Sequence, residues 1–310
     1  MDIRQLRYFI AIVEEGSITA AAAKLNMSQP PLSAQLKQLE SELGTTLFER
    51  KNKKLFLTSE GKILYERAKI LSHIFDQTEN YFMELKDGVT GTLNIGCIAS
   101  LAILFFPSLI KSFLQEYPKF DLQMHENNTA GLLHLLDERL IELCMIKSDF
   151  DKTKYNCLCI NSLLEEQNDS LAVVGLTDLL EETPSDEYEF KNLSGKPLIV
   201  QRSFENYVRA FASELHFEPK IISSLENVMT SLNWCLNGLG VSIMPYSATK
   251  LSTLLKHGDE LCIKRLIKPG LSINTYLVWN KEHVLSPAAQ RFIEFLSNQM
   301  YRDGNSDYHA

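Results

Sequence analysis

The chain has no apolar run approaching the roughly 20 residues that span a bilayer. Its opening, MDIRQLRYF, is charged and amphipathic and lacks the apolar core of a secretory leader. Those absences lead us to expect a cytoplasmic protein. Excess positive charge is lacking too: 31 Lys and Arg stand against 39 Asp and Glu, a net charge of −8, which over the whole chain argues against a nucleic-acid binder. There is no repeat and no low-complexity tract.

Enzyme signatures are missing as well. No G-x-S-x-G or H-E-x-x-H occurs, and neither Gly195–Lys196, followed by Pro197, nor Gly61–Lys62, followed by Ile63, completes a P-loop. Gly238–Leu239–Gly240 lacks the third glycine of a dinucleotide fingerprint and precedes a strand-like run, so it reads as a helix stop. The seven histidines are scattered, none at zinc-ligand spacing from Cys, Asp or Glu. Six cysteines, Cys97, Cys144, Cys157, Cys159, Cys235 and Cys262, lie mostly in apolar runs and read as reduced core thiols. Cys157 and Cys159 would share one face of a strand, poor geometry for a disulfide. No catalytic residue, metal or cofactor is expected.

What is present begins with a hydrophobic content of 45%, enough for a sizeable core, and a length of 310 residues that suggests about two domains. Charge is unevenly spread. Residues 1–90 carry 12 basic and 12 acidic side chains, leaving 19 against 27 beyond, and residues 50–69 hold seven basic and two acidic. A local positive footprint of this kind is what binding through one small domain requires.

The stretch Gly16–Gly61 organises the rest. After a first helix over 2–15, stopped by Gly16, Ser17 and Thr19 are placed to cap a helix through the small residues Ala20–Ala23, and Asn26 to end it. Ser28 caps the next helix, with Pro30 and Pro31 in its first turn, where the missing N–H groups leave no bond unmade. Leu32, Leu36, Leu39 and Leu43 share one buried stripe. Pro30, Ser33, Ala34 and Lys37 lie opposite, with Gln29 at the tip and Gln35 at the flank, groups suited to base edges and phosphates. Arg50, Lys51, Lys53 and Lys54 follow between strand-like Thr46–Phe48 and Leu55–Leu57, a basic wing for backbone phosphate. A polar face or a charge run alone is ordinary solvated surface; both in this order describe a winged helix-turn-helix.

Thr58 caps a further helix without internal Gly or Pro until Gly88. Leu64, Ala68, Leu71, Phe75, Thr78, Phe82 and Leu85 recur along it at alternating spacings of four and three, widened by Ile70, Ile74 and Tyr81, a heptad seam that needs a partner helix. From Gly91, strands and helices alternate, which predicts an α/β domain with largely parallel sheets. Strands are expected at 92–97, 120–126, 142–147, 157–163, 170–175, 197–201, 219–223, 241–244, 261–266 and 273–279. Helices are expected at 101–116, 130–140, 204–216, 227–237 and 286–300. Acidic Glu181–Glu189 reads as a solvated loop and 303–310 as a loose tail.

The chain resembles the LysR-type transcriptional regulators of bacteria. The likeness is carried by Leu6–Tyr8–Phe9, Ala21–Ala22 with Leu25, Ser28–Gln29–Pro30–Pro31–Leu32–Ser33, Gln38–Leu39–Glu40 with Glu42–Leu43–Gly44, Leu47–Phe48–Glu49–Arg50, and Leu57–Thr58 with Gly61. Further on it is carried by Leu93–Asn94–Ile95–Gly96, Phe113 with Tyr117–Pro118, Glu142–Leu143, Gly238–Leu239–Gly240–Val241 with Pro245, and Leu277–Val278–Trp279 with Leu285–Ser286–Pro287. Ala34 departs from the Arg that many members carry.

The resemblance implies a winged helix-turn-helix DNA-binding domain over 1–58, a dimerising linker helix over 59–90, and an effector domain over 91–302 resembling a periplasmic solute-binding protein. That domain would divide into subdomain I (92–163 with 266–300) and subdomain II (164–265), with a cleft between them. Implied partners are double-stranded DNA at a pseudo-palindromic promoter site, RNA polymerase, a small-molecule effector and a second copy of the chain, with dimers pairing into tetramers. The DNA-contact set is then Thr19, Gln29, Pro30, Ser33, Gln35, Lys37, Arg50, Lys53 and Lys54, and the dimerisation set Leu64, Leu71, Phe75 and Phe82.

For the effector, Ser100, Asn128, Thr129, Arg202 and Ser203 fall at strand-to-helix junctions, which line one sheet edge and present helix N-termini to a ligand. Ser100, Thr129 and Ser203 also match the family's effector-contact positions, and Arg202 is suited to clamp a carboxylate. A small anionic effector is the expectation. The alternative is a ligand sensor or adaptor without autonomous DNA binding.

Overall fold

The computed structural model describes residues 1–51, 54–87, 91–147, 150–164, 169–180, 185–268 and 271–302, and forms two compact units divided near residue 88. Lys53 and the tail after Arg302 lie outside the described residues, as do the side chains of Arg50, Lys54 and Leu85.

In the first unit, α1 (Ile3–Glu15) starts on a reciprocal cap: Gln5 N donates to Asp2 Oδ1 at 2.8 Å and Asp2 N to Gln5 Oε1 at 3.0 Å. Gly16 ends it at φ 64°. Ser17, not Thr19, caps α2 (Ile18–Lys24), accepting from Ala20 N at 3.0 Å, and Asn26 takes the left-handed turn at φ 53°. Ala21 and Ala22 are fully buried, as small residues at a close helix crossing should be.

The next helix, α3 (Gln29–Leu43), places both prolines in its first turn, but Ser28 occupies the cap position without a side-chain bond. Leu32, Leu36 and Leu39 are buried with Leu6, Phe9, Ile12 and Leu47. Leu43 departs from the predicted stripe: Gly44 stops the helix there at φ 66°, and Leu43 stays exposed. The wing pairs β1 (Phe48–Lys51) with β2 (Lys54–Leu57) antiparallel, Phe48 opposite Leu57. Glu40 Oε1 ties it to α3 by accepting from Leu47 N at 2.8 Å.

Thr58 Oγ1 accepts from Gly61 N at 2.9 Å and opens α4 (Ser59–Asp87), whose 29 residues extend about 43 Å at 1.5 Å per residue. Ala68 is buried and Leu64 half-buried in the core of their own unit, so Leu64 is spent on the winged fold. The exposed stripe begins at Leu71 (45%) and continues through Phe75 (39%) and Phe82 (61%). Arg7 of α1 lies 5.2 Å from the Phe75 ring centroid and pairs with Asp76.

The second unit starts with β3 (Gly91–Cys97), α5 (Ala99–Leu104), α6 (Phe106–Glu116), β4 (Phe120–Glu126), α7 (Thr129–Asp137), β5 (Leu143–Ile146) and β6 (Tyr155–Cys159). The chain then crosses to a second sheet. There it forms β7 (Leu171–Leu176), α8 (Thr177–Leu180), β8 (Glu187–Glu189), β9 (Pro197–Gln201), α9 (Glu205–Glu214), β10 (Lys220–Leu225), α10 (Val228–Leu236), β11 (Val241–Pro245), α11 (Tyr246–Thr249) and β12 (Leu261–Lys268), in the order β10-β9-β11-β7-β12-β8. It returns as β13 (Tyr276–Asn280), completing the first sheet in the order β4-β3-β5-β13-β6, and α12 (Pro287–Arg302) closes over it.

Both sheets are mixed. β7 runs antiparallel to β11 and β12, and β13 antiparallel to β5 and β6, because these strands carry the chain between the sheets against the parallel direction. The single helix expected at 101–116 is two helices broken at Phe105, with Pro107 in the first turn of the second. The strand expected to reach Leu163 stops at Cys159 and tightens into a 3₁₀ turn over Asn161–Leu163. Glu187–Glu189, read as loop, is an edge strand on β12: Tyr188 between the two glutamates is fully buried and its hydroxyl donates to Asn192 O at 3.1 Å. Cys97, Cys144 and Cys235 are buried, and burial pushes the Cys235 thiol up to about 12, but Cys159 is exposed.

Gly61 has no room for a side chain. A Cβ at Gly61 would stand 2.2 Å from the carbonyl oxygen of Leu47, the residue that leads into the wing. Gly61→Ala must therefore push α4 off the wing, and we expect a loss of about 1–3 kcal/mol of stability in the first unit. Denaturant melts should show it; an unchanged midpoint would contradict the tight contact.

Candidate functional site

The first unit presents a polar helix face. On α3, Gln29, Pro30 and Lys37 are exposed and Ser33 and Gln35 half-buried, and Thr19 is exposed on α2. None of these side chains has a hydrogen-bond partner among the described residues. Their order follows from the helix: the leucine stripe fixes its roll, Pro30 and Pro31 fix its entry, and what remains outward is the short polar set.

The second unit contains a cleft of about 750 Å³ between its two sheets. Ser100, Asn128, Thr129, Arg202 and Ser203, taken from three separate stretches of sequence, all line it. They arrive there as predicted junction residues, with different local roles. Ser100 lies within the first turn of α5, whose cap is Ile98, and is buried. Asn128 is the side chain that caps α7: Gly131 N donates to its Oδ1 at 2.7 Å. Ser203 sits in a 3₁₀ turn before α9 and is exposed. The walls are apolar, including Ile98, Leu133, Phe204, Tyr207, Val228 and Ile273.

Both cations that line the cleft are already paired. Arg202 donates to Glu226 Oε1 at 2.9 Å, and Glu226 Oε2 accepts from Asn128 Nδ2 at 2.7 Å, joining groups from both sheets at the rim. Deeper, Lys147, just past the end of β5, donates to Asp169 Oδ2 at 2.7 Å and to Ser247 Oγ at 2.6 Å. Asp169 precedes β7 and bridges Ile273 as an antiparallel pair where the chain crosses between sheets. Its Oδ1 accepts from Ser170 N and Ser247 N, each at 3.0 Å, and its Oδ2 also accepts from Ser247 Oγ at 2.5 Å.

Sequence reading missed Lys147, Asp169, Glu226 and Ser247. The one available signal was a lysine closing the otherwise apolar run Leu143–Ile146.

Two family models match the chain. One, described as the LysR substrate binding domain, covers residues 86–300; the other, bacterial regulatory helix-turn-helix protein of the lysR family, covers 3–62. Among relatives, the HTH-type transcriptional regulator BsdA of Bacillus subtilis is 34% identical over 95% of this chain and 99% of its own. The HTH-type transcriptional regulator BenM of Acinetobacter baylyi is 30% identical over 81% of this chain and 82% of its own. In fold, the chain is similar to full-length CbnR solved in complex with its target DNA, with a TM-score of 0.74 over 96% of this chain and 99% of that one at 21% identity.

Proposed function

Because the chain belongs to the LysR family of bacterial transcriptional regulators, we propose a division of labour among the residues of a DNA-binding regulator with an effector-binding domain. In it, Gln29, Pro30, Ser33 and Gln35 meet base edges in the major groove, Lys37 and Thr19 approach the backbone, and Arg50, Lys53 and Lys54 hold phosphate from the wing. The observation that carries this is the outward polar face of α3, unpartnered among the described residues, beside a basic hairpin. We assign the protein no catalytic step and place it in the cytoplasm with its promoter DNA. The working division is 1–58 for DNA, 59–90 for the linker and 91–302 for the effector.

Lys53→Ala is expected to weaken all DNA and lower the salt slope by about one, whereas Gln29→Ala relaxes preference at one base pair by about 1–3 kcal/mol. Binding titrations across salt, on specific and scrambled duplexes, separate the two. If both changes behave alike, α3 is not the reading helix.

The exposed Leu71, Phe75 and Phe82 support a dimer built on α4, with two reading heads on a pseudo-palindromic site and RNA polymerase as the downstream partner. Leu71→Asp with Phe75→Asp should give monomeric winged domains while the second unit stays folded. Sedimentation decides this, and an unchanged mass would refute it.

For the effector we favour a small anion seated among Ser100, Asn128, Thr129 and Ser203, supported by their convergence on the cleft beside the N-termini of α7 and α10. It would alter closure of the two subdomains and so the presentation of the reading heads. A thermal-shift screen of small acids should find a stabiliser whose effect grows with the logarithm of concentration and vanishes in Thr129→Val with Ser100→Ala. Neutral hits alone would argue against an anionic pocket.

A further inference from the structure

The rim and the floor of the cleft hold their cations differently. Arg202 at the rim has 66% of its side chain exposed and is held by Glu226; Lys147 at the floor is 5% exposed. A lysine ammonium has three donors. Two of Lys147's are used, on Asp169 and Ser247, and no third acceptor is present among the described residues. Asp169 takes no more part in this, because both of its oxygens already accept two hydrogen bonds. A buried ammonium that lines a cavity of about 750 Å³ thus keeps one N–H to give.

We infer that Lys147 is an effector-binding residue, donating its third N–H to an oxygen of the bound molecule while its other two hold the second subdomain. The inference rests on the reading of the cleft as the effector site. Since Asp169 neutralises Lys147, the oxygen need not carry a full charge, and a carbonyl serves as well as a carboxylate. The same nitrogen grips Asp169, one residue from β7 and paired with Ile273 at the crossing. An effector oxygen on Lys147 is therefore felt at the joint between subdomains.

The test uses the full-length protein and a panel of short straight-chain and aromatic monocarboxylates, each with its primary amide, screened by thermal shift and measured by calorimetry. Lys147→Met removes the donor but strands the Asp169 charge; the near-isosteric pair Lys147→Met with Asp169→Asn removes both charges and preserves the fold. Panel members that bind wild type should bind both variants about tenfold to a hundredfold more weakly. In wild type, binding should also slow hydrogen exchange at Ser170 and Ile273, and the double variant should lose that slowing. Unchanged affinity in the double variant overturns the role of Lys147 and leaves the cleft reading standing. If no acid or amide in the panel binds wild type, the cleft reading fails and the inference with it.

Discussion

The effector unit turns on one carboxylate. Asp169 is 1% exposed and accepts four hydrogen bonds, from Lys147, Ser247 Oγ and two backbone N–H groups. Burying a charge costs several kcal/mol after relaxation, and only near-complete hydrogen bonding offsets it. The two sheets pack separate apolar cores, one around Phe113 and Phe292, the other around Tyr188 and Phe190. Apolar packing between such bodies tolerates small slides, but a saturated buried carboxylate has one geometry. Its partners span the crossing, so a polar joint ties the two sheets together there.

The winged unit depends on a different economy of side chains. The glutamate of α3 that caps the wing, Glu40, and the threonine that opens α4, Thr58, both satisfy backbone N–H groups at element ends. With ends satisfied locally, the leucine stripe is free to set the roll of α3, and the outward residues keep their polar groups uncommitted. The same logic leaves α4 half covered: Leu64 and Ala68 belong to the winged core, and beyond them Leu71, Phe75 and Phe82 stay exposed.

What was legible in the sequence follows the range of the interactions. The helix-turn-helix was readable because 3.6-residue periodicity, glycine stops and prolines act over a few residues, and the strand at Pro197–Gln201 was placed to the residue. The edge strand at Glu187–Glu189 was hidden because its two glutamates look solvated, while the buried Tyr188 gains its place only by pairing with β12. Ser28 shows the limit of capping rules, since it stands at the cap position without making the cap bond. The floor of the cleft was beyond reach altogether: Lys147 and Asp169 are 22 residues apart and Ser247 is a further 78 from Asp169, and composition holds no trace of their meeting.

That difference of range also decides what the rim contributes. Arg202 and Asn128, two groups the sequence offers to a ligand carboxylate, already donate to Glu226. An incoming carboxylate that takes them must release Glu226 to water, so one set of charge-assisted hydrogen bonds is exchanged for another, and exposed pairs of this kind are worth at most about 1 kcal/mol. On that reading the rim would contribute charge placement with little net affinity. On the proposed reading of the cleft, affinity would come from the apolar walls and from the buried donor beneath them. In a cleft so arranged, the exposed arginine that sequence reading favours is already engaged by Glu226, and the buried lysine it overlooks is the group we propose to seat an oxygen of the ligand.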